Sequence, residues 1–227
     1  MKKAIIFDMD WVLILSEEMN RKIYKDVCSS HRHPLSNEDY DTFFAWTRTL
    51  EAFEKYTSSK WKKDLSLAKQ MVKEFREVKR EILFNKLTDY VFLREGTHEL
   101  LSKLKKEFKL AIWTSTIKEF TDQIVDTLNI RKYFDVIVTG EDVTKSKPNP
   151  EVYEITAQKL WSKTSDILVF EDAENGIEAA KNAKMLCIEV KNEWFREQSE
   201  LKAEYVISKF SEVTPKLINS LFDLVSG

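Results

Sequence analysis

The stretch Ala4-Ile5-Ile6-Phe7-Asp8-Met9-Asp10 decides how this chain is read. Four apolar residues run straight into two aspartates spaced i, i+2. The run is too short for a helix and reads as a fully buried strand. Carboxylates at the end of such a strand are costly unless a cation or hydrogen-bond donors receive them. Late in the chain, Ile167-Leu168-Val169-Phe170 runs into Glu171-Asp172 in the same way. If the two strands are parallel neighbours, four carboxylates converge at one sheet edge. At about 4 Å and an effective dielectric of about 20, each like-charge pair there costs roughly 4 kcal/mol. Such a cluster points to a site for a hard divalent cation.

The same pattern, an apolar run followed by polar residues, recurs outward from these two segments. Leu110-Ala111-Ile112-Trp113 leads into Thr114-Ser115-Thr116, and Val136-Ile137-Val138 leads into Thr139-Gly140-Glu141. Leu186-Cys187-Ile188 and Tyr205-Val206-Ile207 read as further strands. Helical patterns lie between them, over 99–108 and 117–128. Strands alternating with helices predict a doubly wound α/β core with a parallel sheet covered on both faces. Ligands of such sheets bind beyond the carboxyl ends of the strands. Asp8, Asp10, Thr114 and the Glu171-Asp172 pair all fall there.

Residues 16–91 read differently. Tyr40, Phe43, Phe44 and Thr47 follow helical spacing, as do Leu65, Ala68, Val72 and Phe75. Ser36 followed by Asp39 resembles a helix-capping arrangement. The division expected is therefore an α/β core from 1–15 and 92–227, with an all-helical insertion over 16–91. The insertion's aromatics, including Trp46, Phe53, Trp61, Phe75 and Phe84, are expected to form its own core.

Composition excludes several classes. The formal net charge of −2 gives no global field to attract nucleic acid. No apolar run approaches the roughly 20 residues of a membrane span, and the short run before Asp8 is not a signal peptide. Cys28 and Cys187 show no metal-type spacing, so reduced thiols and a cytoplasmic location are the expectation. His31, His33 and His98 have no spacing of interest and read as structural or exposed.

Four short motifs, each at an expected strand end, resemble the haloacid dehalogenase superfamily. They resemble its helical-cap phosphatases and beta-phosphoglucomutase-like members in particular. Asp8-Met9-Asp10-Trp11-Val12 is similar to the first motif and Thr114 to the second. Lys147 in Lys147-Pro148-Asn149-Pro150-Glu151 is similar to the third, and Phe170-Glu171-Asp172-Ala173-Glu174-Asn175-Gly176-Ile177 to the acidic fourth. The resemblance implies a Rossmann-like core with a cap and Mg2+-dependent hydrolysis of a small-molecule phosphate monoester. It assigns the nucleophile to Asp8 and the general acid and base to Asp10. Thr114, the Ser115 N–H and Lys147 would hold the phosphoryl oxygens. Asp8, the Asp10 backbone carbonyl and Asp172 would hold the metal, with Glu171 direct or through water. A monomer or weak homodimer without nucleic-acid or membrane partners is implied.

Three positions depart from the family pattern: Trp11 where Gly is usual, Leu15 where Asp is common, and Ser146 where Gly precedes the lysine. Trp11, between Asp10 and the insertion, is expected to shape access to the site. Lys184 stands where the family has Gly after an Ala-Ala-x-x-Ala segment, so a left-handed residue is expected there. The alternative activity is a phosphosugar mutase, whose cap resembles this chain around Arg48 and Lys69–Lys73. A non-enzymatic binding protein on the same fold would be expected to lose Asp8 or Asp10, and both remain.

Overall fold

A computed structural model describes residues 2–45, 47, 49–60, 64–192 and 203–225. Its elements in chain order begin with β1 (Ala4–Asp8), β2 (Ile14–Leu15), α1 (Glu17–Ser30), α2 (Asn37–Phe43), α3 (Thr49–Lys60), α4 (Leu65–Asn85) and α5 (Leu87–Tyr90). There follow β3 (Phe92–Leu93), α6 (Thr97–Leu104), β4 (Lys109–Trp113), α7 (Lys118–Thr127), β5 (Val136–Val138) and α8 (Glu151–Leu160). The chain closes with β6 (Ile167–Glu171), α9 (Glu174–Asn182), β7 (Leu186–Val190), β8 (Tyr205–Ile207) and α10 (Pro215–Val225). Two compact units result: Met1–Leu15 with Phe92–Gly227, and Ser16–Val91.

The first unit is built on a six-stranded sheet of order β5-β4-β1-β6-β7-β8. Its strand pairs are parallel. β1 is central, pairing Ala4 with both Lys109 and Ile167. Flanked on both sides and covered on both faces, it has no solvated residue before its end: Ala4 to Phe7 are fully buried. This is why its sequence is continuously apolar instead of alternating. The period of two still operates within it. Ala4 and Ile6 share one core cluster with Trp113, Val169, Tyr153 and Ile177. By the same alternation Asp8 belongs to that face, and so does Glu171, which follows Ile167 and Val169. Phe7 stacks on Phe170 with ring centroids 4.7 Å apart.

β2 and β3 form a separate antiparallel ribbon, pairing Ile14 with Leu93 and Leu15 with Phe92. The chain leaves the sheet unit and returns to it through this ribbon. Two residues per strand are too few to carry a period, and the sequence reading does not include them.

The second unit is helical throughout its described residues. Tyr24 packs on Phe75 at 4.4 Å and on Phe44 at 4.6 Å between centroids, and Phe44 on Phe53 at 5.3 Å. Ser36 caps α2, accepting the Asp39 N–H at 3.0 Å. Phe84 departs from expectation: it is 48% exposed, because it falls between the positions of the buried stripe that α4 turns inward. Trp46, Trp61 and Arg48 lie outside the described residues. No helix among the described residues is long and apolar enough to cross a membrane.

Lys184 has φ +58. The helix α9 ends there with the Lys184 N–H on the Lys181 carbonyl at 2.8 Å and the Met185 N–H on the Ala180 carbonyl at 2.9 Å. These are the two bonds of a Schellman ending, whose left-handed residue is usually Gly.

Candidate active site

The carboxyl ends of β4, β1 and β6 lie side by side, and the loop before α8 supplies a lysine to them. Lys147 keeps only 14% of its side chain exposed, donating to Asp8 Oδ1 at 2.5 Å and, more closely still, to Glu171 Oε1. Its ammonium also lies 5.8 Å from the Trp113 ring centroid and 5.5 Å from that of Tyr153. Both faces are electron-rich and favour the cation. Burial works against the charge on Lys147, yet Asp8 and Glu171 outweigh it and raise its pKa.

Glu171 has no exposed surface, and both its oxygens are committed. Oε1 accepts from Lys147 and, at 2.8 Å, from the Tyr153 hydroxyl. Oε2 accepts the backbone N–H groups of Asp172 at 2.9 Å and Ala173 at 3.1 Å. Both Glu171 oxygens are thus turned to donors within the protein. The repulsion among the acids is relieved at Glu171 by an ammonium, a phenol and two peptide N–H groups. No three acidic, histidine or cysteine side chains among the described residues are grouped so as to hold a metal ion.

Asp8 and Asp172 remain. Burial, more than any neighbour, raises the Asp8 carboxyl to about 8, with Lys147 opposing and Glu171 adding to the rise. Burial likewise pushes Asp172 well above the carboxylate range, followed by the charges of Glu171 and Asp8. Asp172 Oδ2 is buried with no hydrogen-bond partner. An orphaned carboxylate oxygen beside a second desolvated carboxyl is a poor arrangement for the protein alone and a good one for a hard cation. The donors fit: two carboxylates and a peptide carbonyl make an all-oxygen set of fewer than three acidic side chains.

Asp10 is held by hydroxyls. Thr114 Oγ1 donates to Asp10 Oδ2 at 3.4 Å, and Thr116 Oγ1 reaches the same oxygen at 3.3 Å. Thr114 in turn accepts the Thr116 N–H at 3.1 Å, which closes the turn after β4. Thr114 is buried, whereas Ser115 is exposed on that turn. The Ser115 carbonyl presses on Gly140, where a Cβ would lie 2.4 Å from it. Trp11 is buried with φ +64, a left-handed residue where a side chain is uncommon. Its backbone conformation explains why Gly suits this position.

Sequence reasoning missed Tyr153 and Thr116. Tyr153 sits at an apolar helical position with Val152, Thr156, Ala157 and Leu160, so its hydroxyl looks like that of an ordinary core tyrosine. Thr116 was masked by Thr114 and Ser115 beside it.

The family model for haloacid dehalogenase-like hydrolases matches residues 5–190. The chain belongs to that family. Among its haloacid dehalogenase-like relatives, a phosphorylated carbohydrates phosphatase from Thermotoga maritima is 33% identical over 189 residues. That alignment covers 80% of this chain and 81% of the relative. A validoxylamine A 7'-phosphate phosphatase from Streptomyces hygroscopicus subsp. limoneus is 30% identical over 190 residues, covering 83% and 85%. A crystal structure of a CbbY variant from Rhodobacter sphaeroides, in complex with xylulose-(1,5)bisphosphate, shares the fold. Its TM-score is 0.80 at 23% identity, covering 93% of this chain and 96% of that one.

Proposed function

We propose that this haloacid dehalogenase-like hydrolase is a Mg2+-dependent phosphatase of small-molecule phosphate monoesters, acting through an aspartyl-phosphate on Asp8. The observation that carries the proposal is the Asp8–Lys147–Glu171 ion triad, with Asp10 held two residues further on by Thr114 and Thr116. One Asp8 oxygen attacks phosphorus and the ester P–O bond breaks. Asp10 gives its proton to the departing oxygen. Water then attacks the acyl phosphate, Asp10 takes a proton from it, and the P–O bond to Asp8 breaks. Proton transfer of this kind contributes about 10²–10⁴-fold.

Asp8, the Asp10 carbonyl and Asp172 would hold Mg2+, which supplies charge that screens the nucleophile from the phosphoryl group. Lys147, Thr114 and the Ser115 N–H stand to receive phosphoryl oxygens as charge develops. Glu171 serves Lys147: three other donors fix its carboxylate, and the carboxylate fixes the ammonium.

The helical unit supports an anionic substrate. Lys69, Lys73, Arg76 and Arg80 recur along one face of α4 and line a cavity of about 490 Å³. Its one acidic side chain, Glu77, lies 3.8 Å from Lys73. A phosphometabolite panel with Mg2+ tests the proposal through release of inorganic phosphate. Hydrolysis by the wild type and none by Asp8→Asn is expected. No phosphate from any ester overturns it, and conversion of a sugar 1-phosphate to its 6-phosphate shows a mutase instead.

A further inference from the structure

The turn that carries Asp10 is held from one side by Arg94, with the Thr97 hydroxyl also donating to the Leu13 carbonyl at 3.4 Å. Arg94 Nη2 donates to the Trp11 carbonyl at 2.5 Å and Arg94 Nε to the Val12 carbonyl at 3.1 Å. The Arg94 N–H donates to the Leu13 carbonyl at 2.9 Å. Three successive carbonyls are thus received by one residue. Trp11 and Val12 are buried, so these carbonyls have little access to water. Within the turn, the Trp11 N–H bonds the Ile14 carbonyl at 2.7 Å, and the Leu13 and Ile14 N–H groups bond the Met9 carbonyl at 3.0 and 3.1 Å. The Leu13 N–H lies in the same planar peptide as the Val12 carbonyl, so the Met9 carbonyl and the guanidinium hold that plane together, and the guanidinium extends the hold to the Trp11 carbonyl.

The geometry suits arginine alone. Two donors of a planar fork meet two consecutive carbonyls, a match that a lysine ammonium cannot reproduce. The held turn also contains the left-handed Trp11 at φ +64, which a side chain tolerates only when its surroundings over-determine it. At the other side of the turn Asp10 meets Thr114 and Thr116 at 3.4 and 3.3 Å, bonds long enough that a small shift of the backbone would break them.

We propose that Arg94 is a positioning residue for Asp10, fixing the turn so that the carboxyl stays aligned to protonate a departing ester oxygen. This rests on the reading of Asp10 as the acid. The proton moves from Asp10 to the ester oxygen as the P–O bond breaks and the Asp8–phosphorus bond forms. Alignment of the acid matters when the leaving group is an alkoxide, which cannot depart without that proton. It matters little for p-nitrophenolate, which is stable without one. Arg94 therefore governs which esters are turned over, through the leaving group.

The test compares kcat for glycerol 3-phosphate and p-nitrophenyl phosphate in the wild type, Arg94→Met and Arg94→Lys, with Mg2+ present. Arg94→Met should lose at least about tenfold more kcat on the alkyl ester than on the aryl ester, part of the acid's 10²–10⁴-fold contribution. Arg94→Lys should show the same bias to a smaller degree. In an Asp10→Asn background, which lacks the acid, Arg94→Met should add no such bias. A merely structural role lowers both esters in proportion, so equal losses, or none, overturn the inference. If Arg94→Met does not fold, the ratio for Arg94→Lys decides by the same criterion. If the wild type hydrolyses neither ester, an alkyl and an aryl ester that it does hydrolyse take their place; a wild type that hydrolyses no ester at all refutes the phosphatase reading and is distinct from either result.

Discussion

Gly176 stands in the first turn of α9 with its Cα against the carboxylate of Glu171. A Cβ built there would lie 2.0 Å from Oε1, 2.1 Å from Cδ and 2.5 Å from Oε2 of Glu171. No relaxation of a few tenths of an ångström absorbs such an overlap, and the carboxylate is not free to swing aside. Lys147, the Tyr153 hydroxyl and the N–H groups of Asp172 and Ala173 all hold it. Gly176→Ala should therefore displace Glu171 and separate a buried ion pair. That separation costs about 3–5 kcal/mol. The better helix propensity of Ala offsets about 1 kcal/mol of it. The net loss of about 2–4 kcal/mol, at roughly 2–4 °C per kcal/mol for a chain of this size, lowers Tm by about 4–16 °C. Thermal melts followed by circular dichroism measure it, with the same substitution made in a Glu171→Ala background. There the clash is gone, and the penalty should shrink to near zero. A Gly176→Ala protein melting within about 1 °C of wild type, or a penalty equally large without Glu171, refutes the reasoning.

Lys184→Gly should raise Tm by about 2–4 °C, because it removes left-handed strain of about 1–2 kcal/mol and returns part of that as unfolded-state entropy; an unchanged or lower Tm counts against it. Mg2+ at about 100 times its Kd should stabilise the protein by about 2.7 kcal/mol, and turnover should vanish in excess EDTA; activity persisting there refutes the metal. In EDTA, Asp8 ionises near 3.8 when unfolded but only near about 8 when folded. Wild-type stability from this group is thus lost as pH rises through that window. The Tm of Asp8→Asn minus that of wild type should then grow between about pH 5 and pH 8, and a flat difference argues against the burial of Asp8. Trp11→Gly should keep metal dependence while changing relative kcat/KM between small and bulky esters; a uniform change on all esters would mean that Trp11 only packs.

The sheet was legible because each central strand is a closed apolar run ended by a charge or hydroxyl. Counting by twos along Ala4-Ile6-Asp8 and Ile167-Val169-Glu171 puts Asp8 and Glu171 on one face, a step that the structure prompted. Lys147 was separable from Lys145 through its neighbour Pro148, and Lys145 instead lends its N–H to Glu151 at 2.5 Å. The division of labour in Glu171-Asp172 was not legible. Adjacent acids point to opposite sides of a strand, and only the position of Lys147 and Tyr153 shows which one they meet. Arg94 was equally silent, since its partners are backbone carbonyls and carry no sequence signal. Phe84 looked like core because hydrophobicity alone does not report which way a helix faces.

The place of β1 at the centre of the sheet has a consequence for how the chain reaches its native state. Ala4 pairs with Lys109 on one side and Ile167 on the other. At roughly 5–20 residues per second of synthesis, this central strand waits several seconds for its first partner and longer for its second. The helical unit's contacts are nearer in sequence than those of the sheet, and Leu15 and Phe92 at its two ends are paired with one another. Closing a loop costs less the shorter its free length, so an insertion that is folded leaves a shorter effective loop between β1 and β4. What separates the halves of the core in sequence thus becomes the tether that delivers them to one another.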